Sequence, residues 1–514
     1  MKSTILNSGI GLKPLNNKQL KLAEFLLPIV FGLALLGVSI FSFVASKESS
    51  EIVYAPPSAL SYASMALFVI VSLFGLYSTK LYFALLIFVL WAFPAPVNDF
   101  FPGTWLGEVN EFGNAIFPFF THIDIYLLLG ITKGVLKNKG VNLHHSSLFF
   151  ITIAGMFVSI FANMFDFRNT HERLLLLQGM FQFRYLLELY LLLAFFSVSV
   201  YKNELKLGFI ISLLFLLIES VLFTLKSHGQ ELESGSLANN VFASSVSAVL
   251  LFLVYVRKRY NHSRIVSLLM LLSMIAAVFM IIASGARMAI LAFLVTYFIY
   301  SFIEKRKKRS VLKIITWVIS LLVFLSVVMN FADKLPKKYN PYTISERVEV
   351  RDFNWDLTKF VHIERSWETN SLISRLQLYS ASLKMFRRNP ICGIGVGRWN
   401  LQKQQYGFYE RLLIDSHNGY LSVISQYGLL GIPLIFFLFF SPIAFLIRNN
   451  RNKETVHFIF YLGLINLFFA FSDFSNSGIF KHQIFALLAF NAICLFQLRK
   501  KVSSTSETSI PPTQ

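Results

Sequence analysis

Charged residues are scarce in this 514-residue chain, of which they make up only 14%. Hydrophobic residues make up 55% and aromatic residues 16%, proportions that exclude an ordinary soluble domain. Repeated apolar runs of about 17 to 25 residues match a hydrocarbon layer roughly 30 Å thick. The first run, residues 25–45, has no small-residue cleavage site, so we expect an anchor rather than a signal peptide.

Cysteine is nearly absent. Cys392 and Cys494 are too few for a disulfide framework or a cysteine metal site, and we expect each to be an unpaired small hydrophobe. The predicted outer loops contain no closely spaced acidic pair, and the chain has no cluster of His, Cys and carboxylate residues at metal spacing. The sequence therefore predicts neither a metal nor a cofactor.

Acidic residues are fewer than basic ones, 27 against 47, which gives a net charge of +20. In a soluble protein this excess would favour nucleic-acid binding. Here the basic residues lie in alternate short connections between apolar runs, as at 133–139, 202–206, 257–264 and 305–309. Cytoplasmic loops of membrane proteins carry such an excess. We therefore predict no nucleic-acid partner, two cytoplasmic termini, and an outer-face location for residues 332–415.

The predicted fold class is an all-α polytopic membrane protein with 12 to 14 transmembrane helices and one large outer loop containing amphipathic helices. The count has a range because Pro94, Pro96 and Pro118 interrupt two of the runs. The predicted spans are 25–45, 59–78, 80–97, 112–132, 147–163, 174–200, 207–225, 237–256, 265–283, 286–303, 312–331, 419–447, 456–472 and 478–498. The predicted organisation is a cytoplasmic segment 1–24, transmembrane helices over 25–331, the outer loop 332–415, transmembrane helices over 416–498 and a disordered cytoplasmic tail 499–514.

A polar stretch from 371 to 431, stranded between apolar runs, begins with a predicted amphipathic helix that Pro390 ends. The apolar stripe predicted for this helix is Leu376, Tyr379, Leu383 and Phe386, while Arg375 and Ser382 lie off it. One interpretation is an interfacial helix whose Lys384, Arg387 and Arg388 contact lipid headgroups. That interpretation gives Arg375 no particular role, and anion binding by Arg375 is the alternative.

The glycines of the segment 393–397 (GIGVG) resemble a phosphate-binding loop only superficially, because the following Lys-Ser/Thr and the flanking strand are missing. We expect a turn that permits close packing. His417, beside Asp415 and Asn418 at the outer end of a span, is either a helix cap or a general base oriented by Asp415.

Two arginines at or within apolar runs complete the candidates. Arg287 lies at a tight outer connection, where it either snorkels to headgroups or binds phosphate oxygens through its bidentate guanidinium. Arg184 and Glu188 lie four residues apart inside a predicted span, where they either pair with each other for helix packing or serve transport.

Four segments together resemble the O-antigen ligase and polymerase superfamily. They are residues 235–243 (GSLANNVFA), 284–287 (SGAR), 375–397 with its Pro-x-x-Gly-x-Gly-x-Gly ending, and 415–421 (DSHNGYL) followed by 428–431 (GLLG). The likeness covers about residues 230–432. Three positions depart from the family pattern: Asn239, Ala286 and Gln426, the last of which replaces a frequent Glu.

The resemblance implies a bacterial inner-membrane glycosyltransferase, most simply an O-antigen ligase, that works on the periplasmic face. Its donor would be an undecaprenyl-diphosphate-linked glycan, its acceptor lipid A–core or another glycan, and its surroundings membrane lipid. It implies catalytic roles for His417, Arg287 and Arg375, and substrate binding by Asn240, Arg398, Asp415 and Asn418. Transfer would be inverting and would need no metal. A polymerase, a protein O-glycosylating enzyme and, from another class, a lipid-linked glycan transporter remain alternatives.

Overall fold

The computed structural model describes residues 59–94, 97–98, 120–137, 146–165, 180–226, 287–304, 371–408, 416–448, 455–474 and 478–507, with parts of 245–254 and 267–277. Regular secondary structure in these residues is entirely helical, which confirms the predicted all-α class for this part of the chain. The predicted spans 25–45 and 312–331 lie outside the described residues.

Fourteen α-helices carry labels below. They are α1 (Ala59–Tyr77), α2 (Thr79–Trp91), α3 (His122–Leu136), α4 (Ser147–Met164), α5 (Phe181–Phe195), α6 (Lys202–Lys226), α7 (Arg287–Glu304), α8 (Ser371–Arg388), α9 (Trp399–Gln402), α10 (Gly419–Tyr427), α11 (Ile432–Ile435), α12 (Ser441–Arg448), α13 (Thr455–Ser472) and α14 (His482–Glu507).

Three described segments are long and apolar enough to cross a membrane: α1, α4 and the 27-residue stretch Gly419–Phe445. Shorter apolar segments occupy Thr79–Trp91, Leu291–Tyr300, Tyr461–Ser472 and His482–Gln497. The spans predicted at 59–78, 147–163, 286–303 and 456–472 agree with α1, α4, α7 and α13 to within one residue at each end. The total of 12 to 14 spans stays a prediction.

Helix α3 begins later than the span predicted at 112–132, because a capping box fixes its start. The Thr121 hydroxyl accepts the N–H groups of Ile123 and Asp124, and the Asp124 carboxylate accepts the Thr121 N–H at 2.7 Å. At the other end of the chain, α14 continues to Glu507. The tail predicted to be disordered from residue 499 is therefore helical at its start.

The span predicted as continuous over 419–447 is broken. Helix α10 ends at Tyr427, a 3₁₀ turn occupies Gly428–Gly431, and a π-helical turn occupies Phe436–Phe440 between α11 and α12. Gly428 has a φ of +66°, a conformation open to glycine at little cost. Discontinuous helices in membrane proteins are tolerated where other protein groups satisfy the freed backbone.

Helix ends that the basic-loop pattern assigns to one side meet in the structure. On the predicted outer side, Gln182 Nε2 donates to Ile479 O at 2.7 Å, and Gln483 Nε2 donates to Phe93 O at 2.6 Å. On the predicted inner side, Lys133 Nζ donates to the carbonyls of Gly75 and Leu76 at 2.7 and 2.8 Å. The packing of the described helices is thus compatible with the alternation predicted from sequence.

Candidate functional site

Residues 371–408, which we call the loop module, have a hydrophobic core of their own. The buried face of α8 is formed by Leu378, Ala381, Ser382 and Met385. These pack with Ile394, Trp399, Tyr406 and Phe408. The residues of the predicted apolar stripe, Leu376, Tyr379, Leu383 and Phe386, are half-buried, so the helix buries a neighbouring face. Ser382, predicted to lie off the stripe, is fully buried and accepts the Trp399 indole N–H at 2.9 Å.

The basic residues near the end of α8 differ in exposure. Arg387 and Arg388 are exposed, whereas Lys384 is half-buried, and this partial burial lowers the pKa of the Lys384 amine from its ordinary value. Positive side chains in a last helical turn also complement the helix dipole. The helix ends at Arg388, just before Pro390, as predicted.

The glycine segment of the loop module packs against the break after α10. Ile394 N–H donates to Ser425 O at 2.9 Å, and Gly395 N–H donates to Gln426 O at 3.1 Å. The Gln426 side chain completes the contact, since its Oε1 accepts the Gly397 N–H at 2.8 Å. A neutral amide oxygen suffices for this role, which explains how Gln426 can stand where the family often has Glu.

Gly393 shows why the segment is rich in glycine. Its φ is +67°, and a Cβ there would lie 2.4 Å from the backbone C and O of Gln426. Reciprocally, a Cβ on Gly428 would lie 2.3 Å from Ile391 O. The predicted close-packing turn is confirmed, and the N–H groups of Ile394, Gly395 and Gly397 are used by the protein itself.

Helix α4 holds the same segment from the opposite side. Ser159 Oγ and Asn163 Nδ2 both donate to the Cys392 carbonyl, at 2.7 and 3.1 Å. Ser159 and Asn163 lie four residues apart and share a helix face. Cys392 and Cys494 are free thiols, as predicted.

Arg398 lies in the core of this contact. It is 8% exposed, and its Nη1 donates to Ile394 O at 3.4 Å. A Cβ on Gly395 would lie 3.1 Å from both the Arg398 Cδ and the Asn163 side chain. The structure therefore places Arg398, predicted to bind substrate, where it supports the glycine segment; substrate binding by it stays a prediction.

His417 is the only described residue other than glycine with a positive φ, +48°. Buried residues flank it: Ser416 Oγ donates to Asn418 O at 2.7 Å and accepts the Asn418 N–H at 3.2 Å. The His417 side chain itself is half-buried. Positive φ values in non-glycine residues cluster at functional sites, because the surroundings must over-determine them. Residues 416–418 are called the His417 turn below.

Asn418, and not His417, is the N-cap of α10. Its Oδ1 accepts the Leu421 N–H at 3.0 Å, and its Nδ2 donates to Phe474 O at 2.9 Å. The interpretation of His417 as the cap is therefore wrong. The substrate-binding role predicted for Asn418 stays a prediction beside this observed capping role.

The Phe474 carbonyl joins the His417 turn to α8. The Tyr379 hydroxyl donates to the same oxygen at 3.1 Å. Arg375 lies one helical turn before Tyr379, and residues four apart share a helix face. The structure thus brings the Arg375 face of α8 to the His417 turn.

The side chains of three predicted site residues lie outside the part of the chain that the structure describes. Asn240 and Asp415 lie outside the described residues. Arg287 is the first residue of α7, as its predicted place at a connection requires, but its side chain lies outside what the structure describes.

The self-contained pair predicted for Arg184 and Glu188 is wrong. Arg184 pairs with Asp124 of α3, with Nε–Oδ1 at 3.1 Å and Nη2–Oδ2 at 3.4 Å. Asp124 also accepts the Thr121 hydroxyl at 2.9 Å, and that hydroxyl contacts the Tyr185 hydroxyl at 2.6 Å. The ion pair between Arg184 and Asp124 therefore links α3 to α5. Helical spacing alone cannot reveal such a contact, because the two segments are distant in the chain.

Sequence reasoning missed Asp473. It is fully buried, its Oδ1 and Oδ2 accept the N–H groups of Gly478 and Ile479 at 3.1 and 3.0 Å, and its carbonyl accepts the Gly419 N–H at 2.8 Å. A signal existed, because Asp473 directly follows an apolar span and precedes a short polar, Gly-containing connection. Among the described residues, no group of three or more His, Cys, Asp or Glu could hold a metal ion.

Comparison with known proteins finds a similar family. Residues 272–437 match the O-antigen ligase family. The chain is similar to this family over that region. This match confirms the resemblance found in the motifs. It spans Arg287, Arg375, Arg398 and His417 and leaves out Asn240 and both terminal portions of the chain, including Asp473. No curated protein matches the chain.

Proposed function

We propose that this protein transfers a glycan from undecaprenyl diphosphate to an acceptor hydroxyl on the periplasmic face of a bacterial inner membrane. The acceptor is lipid A–core, which makes the protein a ligase. Both termini are cytoplasmic, and the loop 332–415 is periplasmic. The match of residues 272–437 to the O-antigen ligase family supports the reaction class, and the alternation of basic loops supports the sidedness.

The observation that carries the proposal is the shared Phe474 carbonyl. By accepting from Tyr379 and Asn418, it fixes the Arg375 face of α8 beside the His417 turn. This contact supports a site at the start of the broken helix in which Arg375 binds the anion and His417 takes the proton.

The proposed step breaks one bond and forms one. The acceptor oxygen attacks the anomeric carbon from the face opposite the diphosphate, and the carbon–oxygen bond to the diphosphate breaks, so the configuration inverts. His417 takes the proton of the attacking hydroxyl as general base. Arg375 and Arg287 stabilise the negative charge that grows on the departing lipid diphosphate. These guanidinium groups fill the role that a divalent cation has in metal-dependent transferases.

A polymerase and a transporter are the two alternative functions. A polymerase would extend the lipid-linked repeat with the same donor chemistry. A transporter would need charged residues lining a central path, but the prominent charge of α5, Arg184, is paired with Asp124. That pairing favours a packing role and, with it, an enzyme.

His417→Asn is the sharpest test of the base. With φ at +48°, Ala at this position would add backbone strain, whereas Asn tolerates the left-handed region and keeps the turn. Removing a general base costs about 10²- to 10⁴-fold in turnover. We expect His417→Asn to lose turnover to this extent in an assay of purified protein with lipid-linked donor. Binding of the donor should be unchanged. Wild-type activity should rise with pH around 6.5, where an imidazole ordinarily loses its proton.

A flat wild-type profile from pH 5 to 8, or loss of donor binding with near-normal turnover at saturating donor, would remove the general-base role. Chelation of magnesium should leave transfer unchanged. Deletion of the gene separates ligase from polymerase: full-length lipid-linked polymer that never reaches lipid A indicates the ligase, whereas a single repeat on lipid A indicates the polymerase. Loss of all outer-leaflet glycan would indicate a transporter.

A further inference from the structure

Asp473 lies where three segment ends meet. It follows α13, its carboxylate accepts from the backbone of Gly478 and Ile479 just before α14, and its carbonyl accepts the N–H of Gly419 at the start of α10. The side chain is fully buried. Two backbone N–H groups satisfy its negative charge, which makes an ionised carboxylate acceptable at a buried position.

The carboxylate also packs directly against the first residue of α10. A Cβ on Gly419 would lie 2.4 Å from Asp473 Oδ2 and 3.0 Å from Asp473 Cγ. Gly419 is two residues beyond His417. Helix α13 makes a further contact with α10 one turn below, where the Tyr420 hydroxyl donates to Ala470 O at 2.6 Å.

We propose that Asp473 is the positioning residue for His417. The inference rests on the proposed function, in which His417 is the general base. A histidine at φ +48° needs its neighbours to hold it there. Asp473 supplies that constraint through the Gly419 N–H and the contact with its Cα. Its carboxylate lies against Gly419, two residues beyond His417, and we expect this negative charge to stabilise the imidazolium formed when His417 accepts a proton.

This assignment differs from the sequence-based one, which gave the orienting role to Asp415. Asp473 lies 56 residues beyond His417, from 417 to 473, and outside the matched family region 272–437. Tertiary packing alone brings it to the turn. The two carboxylates therefore offer a matched pair of variants, each replaced by an amide of nearly the same size.

The test compares Asp473→Asn and Asp415→Asn in full-length protein, each alone and combined with His417→Asn. We expect Asp473→Asn to lower turnover roughly tenfold to a hundredfold, the usual effect of losing one charged hydrogen bond, with the donor KM unchanged. The pH at which activity reaches half its maximum should fall, since a nearby negative charge is lost. In the His417→Asn background the same change should cause no further loss, because residues that act as one unit are not additive.

Gly419→Ala is the second variant, for the case in which Asp473→Asn does not fold. This variant keeps the Asp473 carboxylate, but its new Cβ displaces either that carboxylate or the His417 turn. We expect the same loss of turnover as in Asp473→Asn. The inference is overturned if the Asp473→Asn loss multiplies with that of His417→Asn, or if Asp415→Asn alone gives the non-additive loss. Wild-type turnover in Asp473→Asn with an inactive His417→Asn overturns this inference only. Wild-type turnover in His417→Asn overturns the general-base proposal and this inference with it.

Discussion

The contact between the glycine segment and the helix break can be tested at a single position, Gly393. Replacement by Ala introduces two costs. The left-handed φ of +67° costs a non-glycine residue roughly 1–2 kcal/mol. The new Cβ would also lie 2.4 Å from the backbone of Gln426, which cannot swing aside as a side chain could.

The magnitude follows from the hydrogen bonds that a shift of the loop would break. Ile394 N–H to Ser425 O and Gly395 N–H to Gln426 O are the two backbone bonds nearest the clash. Each contributes about 0.5–1.5 kcal/mol, so their loss adds about 1–3 kcal/mol. The expected local destabilisation by Gly393→Ala is therefore about 2–5 kcal/mol.

Gly395→Ala is the matched control. Its φ of +94° carries a similar backbone cost, but the new Cβ would meet the side chains of Arg398 and Asn163 at 3.1 Å rather than backbone atoms. Side chains can move by a few tenths of an ångström. We expect only the backbone cost, about 1–2 kcal/mol, at this position.

Amide hydrogen exchange in detergent, followed on peptides covering 389–400 and 419–431, measures the local opening directly. A cost of about 2 kcal/mol corresponds to exchange roughly thirtyfold faster, and larger costs to more. Gly393→Ala should speed exchange at least thirtyfold, roughly, in both peptides. Gly395→Ala should speed exchange by less than this in the peptide covering 419–431. Unchanged protection in Gly393→Ala, or equal effects of the two variants, would refute the packing argument.

Three further predictions concern charge, hydrogen bonding and sidedness. Arg287→Lys keeps the charge but loses the bidentate fork, so transfer in a membrane assay should fall sharply at normal protein levels; a wild-type rate would exclude diphosphate binding by Arg287. Gln426→Glu should keep the acceptor for Gly397 N–H and retain activity, whereas Gln426→Leu should lose about 1–3 kcal/mol of loop stability by leaving that donor unsatisfied; equal exchange rates in the two variants would contradict this. In a Cys392→Ser background, an impermeant thiol reagent applied to intact spheroplasts should label Asn389→Cys and not Val200→Cys, two exposed positions on opposite predicted sides. The reverse pattern would overturn the topology.

Much of the helical framework was predictable because it depends on local chemistry. Long apolar runs predicted α1, α4, α7 and α13 closely, since backbone groups in a hydrocarbon layer must be satisfied within the helix. Pro390 predicted the end of α8, because proline cannot continue a helix and restricts the residue before it. The short GIGVG segment predicted a close-packing turn, because glycine adopts the left-handed φ values found at Gly393, Gly395 and Gly397 at the least cost. The family resemblance, too, came from motif order.

Other features depend on contacts between segments far apart in the chain, and no local pattern encodes them. Ser382, predicted to lie off the apolar stripe of α8, is as well buried as Leu378 because the Trp399 indole donates to its hydroxyl. Arg184 pairs with Asp124, and not with Glu188, because α3 presents a carboxylate to α5. The break in the span 419–447 reflects the loop that packs against Gly428.

The sequence by itself determined that the chain is helical and apolar, where its main helices lie, and that Arg375 and His417 belong to an O-antigen ligase pattern. Periodicity, hydropathy and turn chemistry act over a few residues, and the sequence displays them directly. Only the tertiary structure decided that Phe474 O joins α8 to the His417 turn and that buried Asp473 lies against Gly419. These contacts arise because the ends of α10, α13 and α14 pack together, and the free energy of that packing is shared among residues that are distant along the chain.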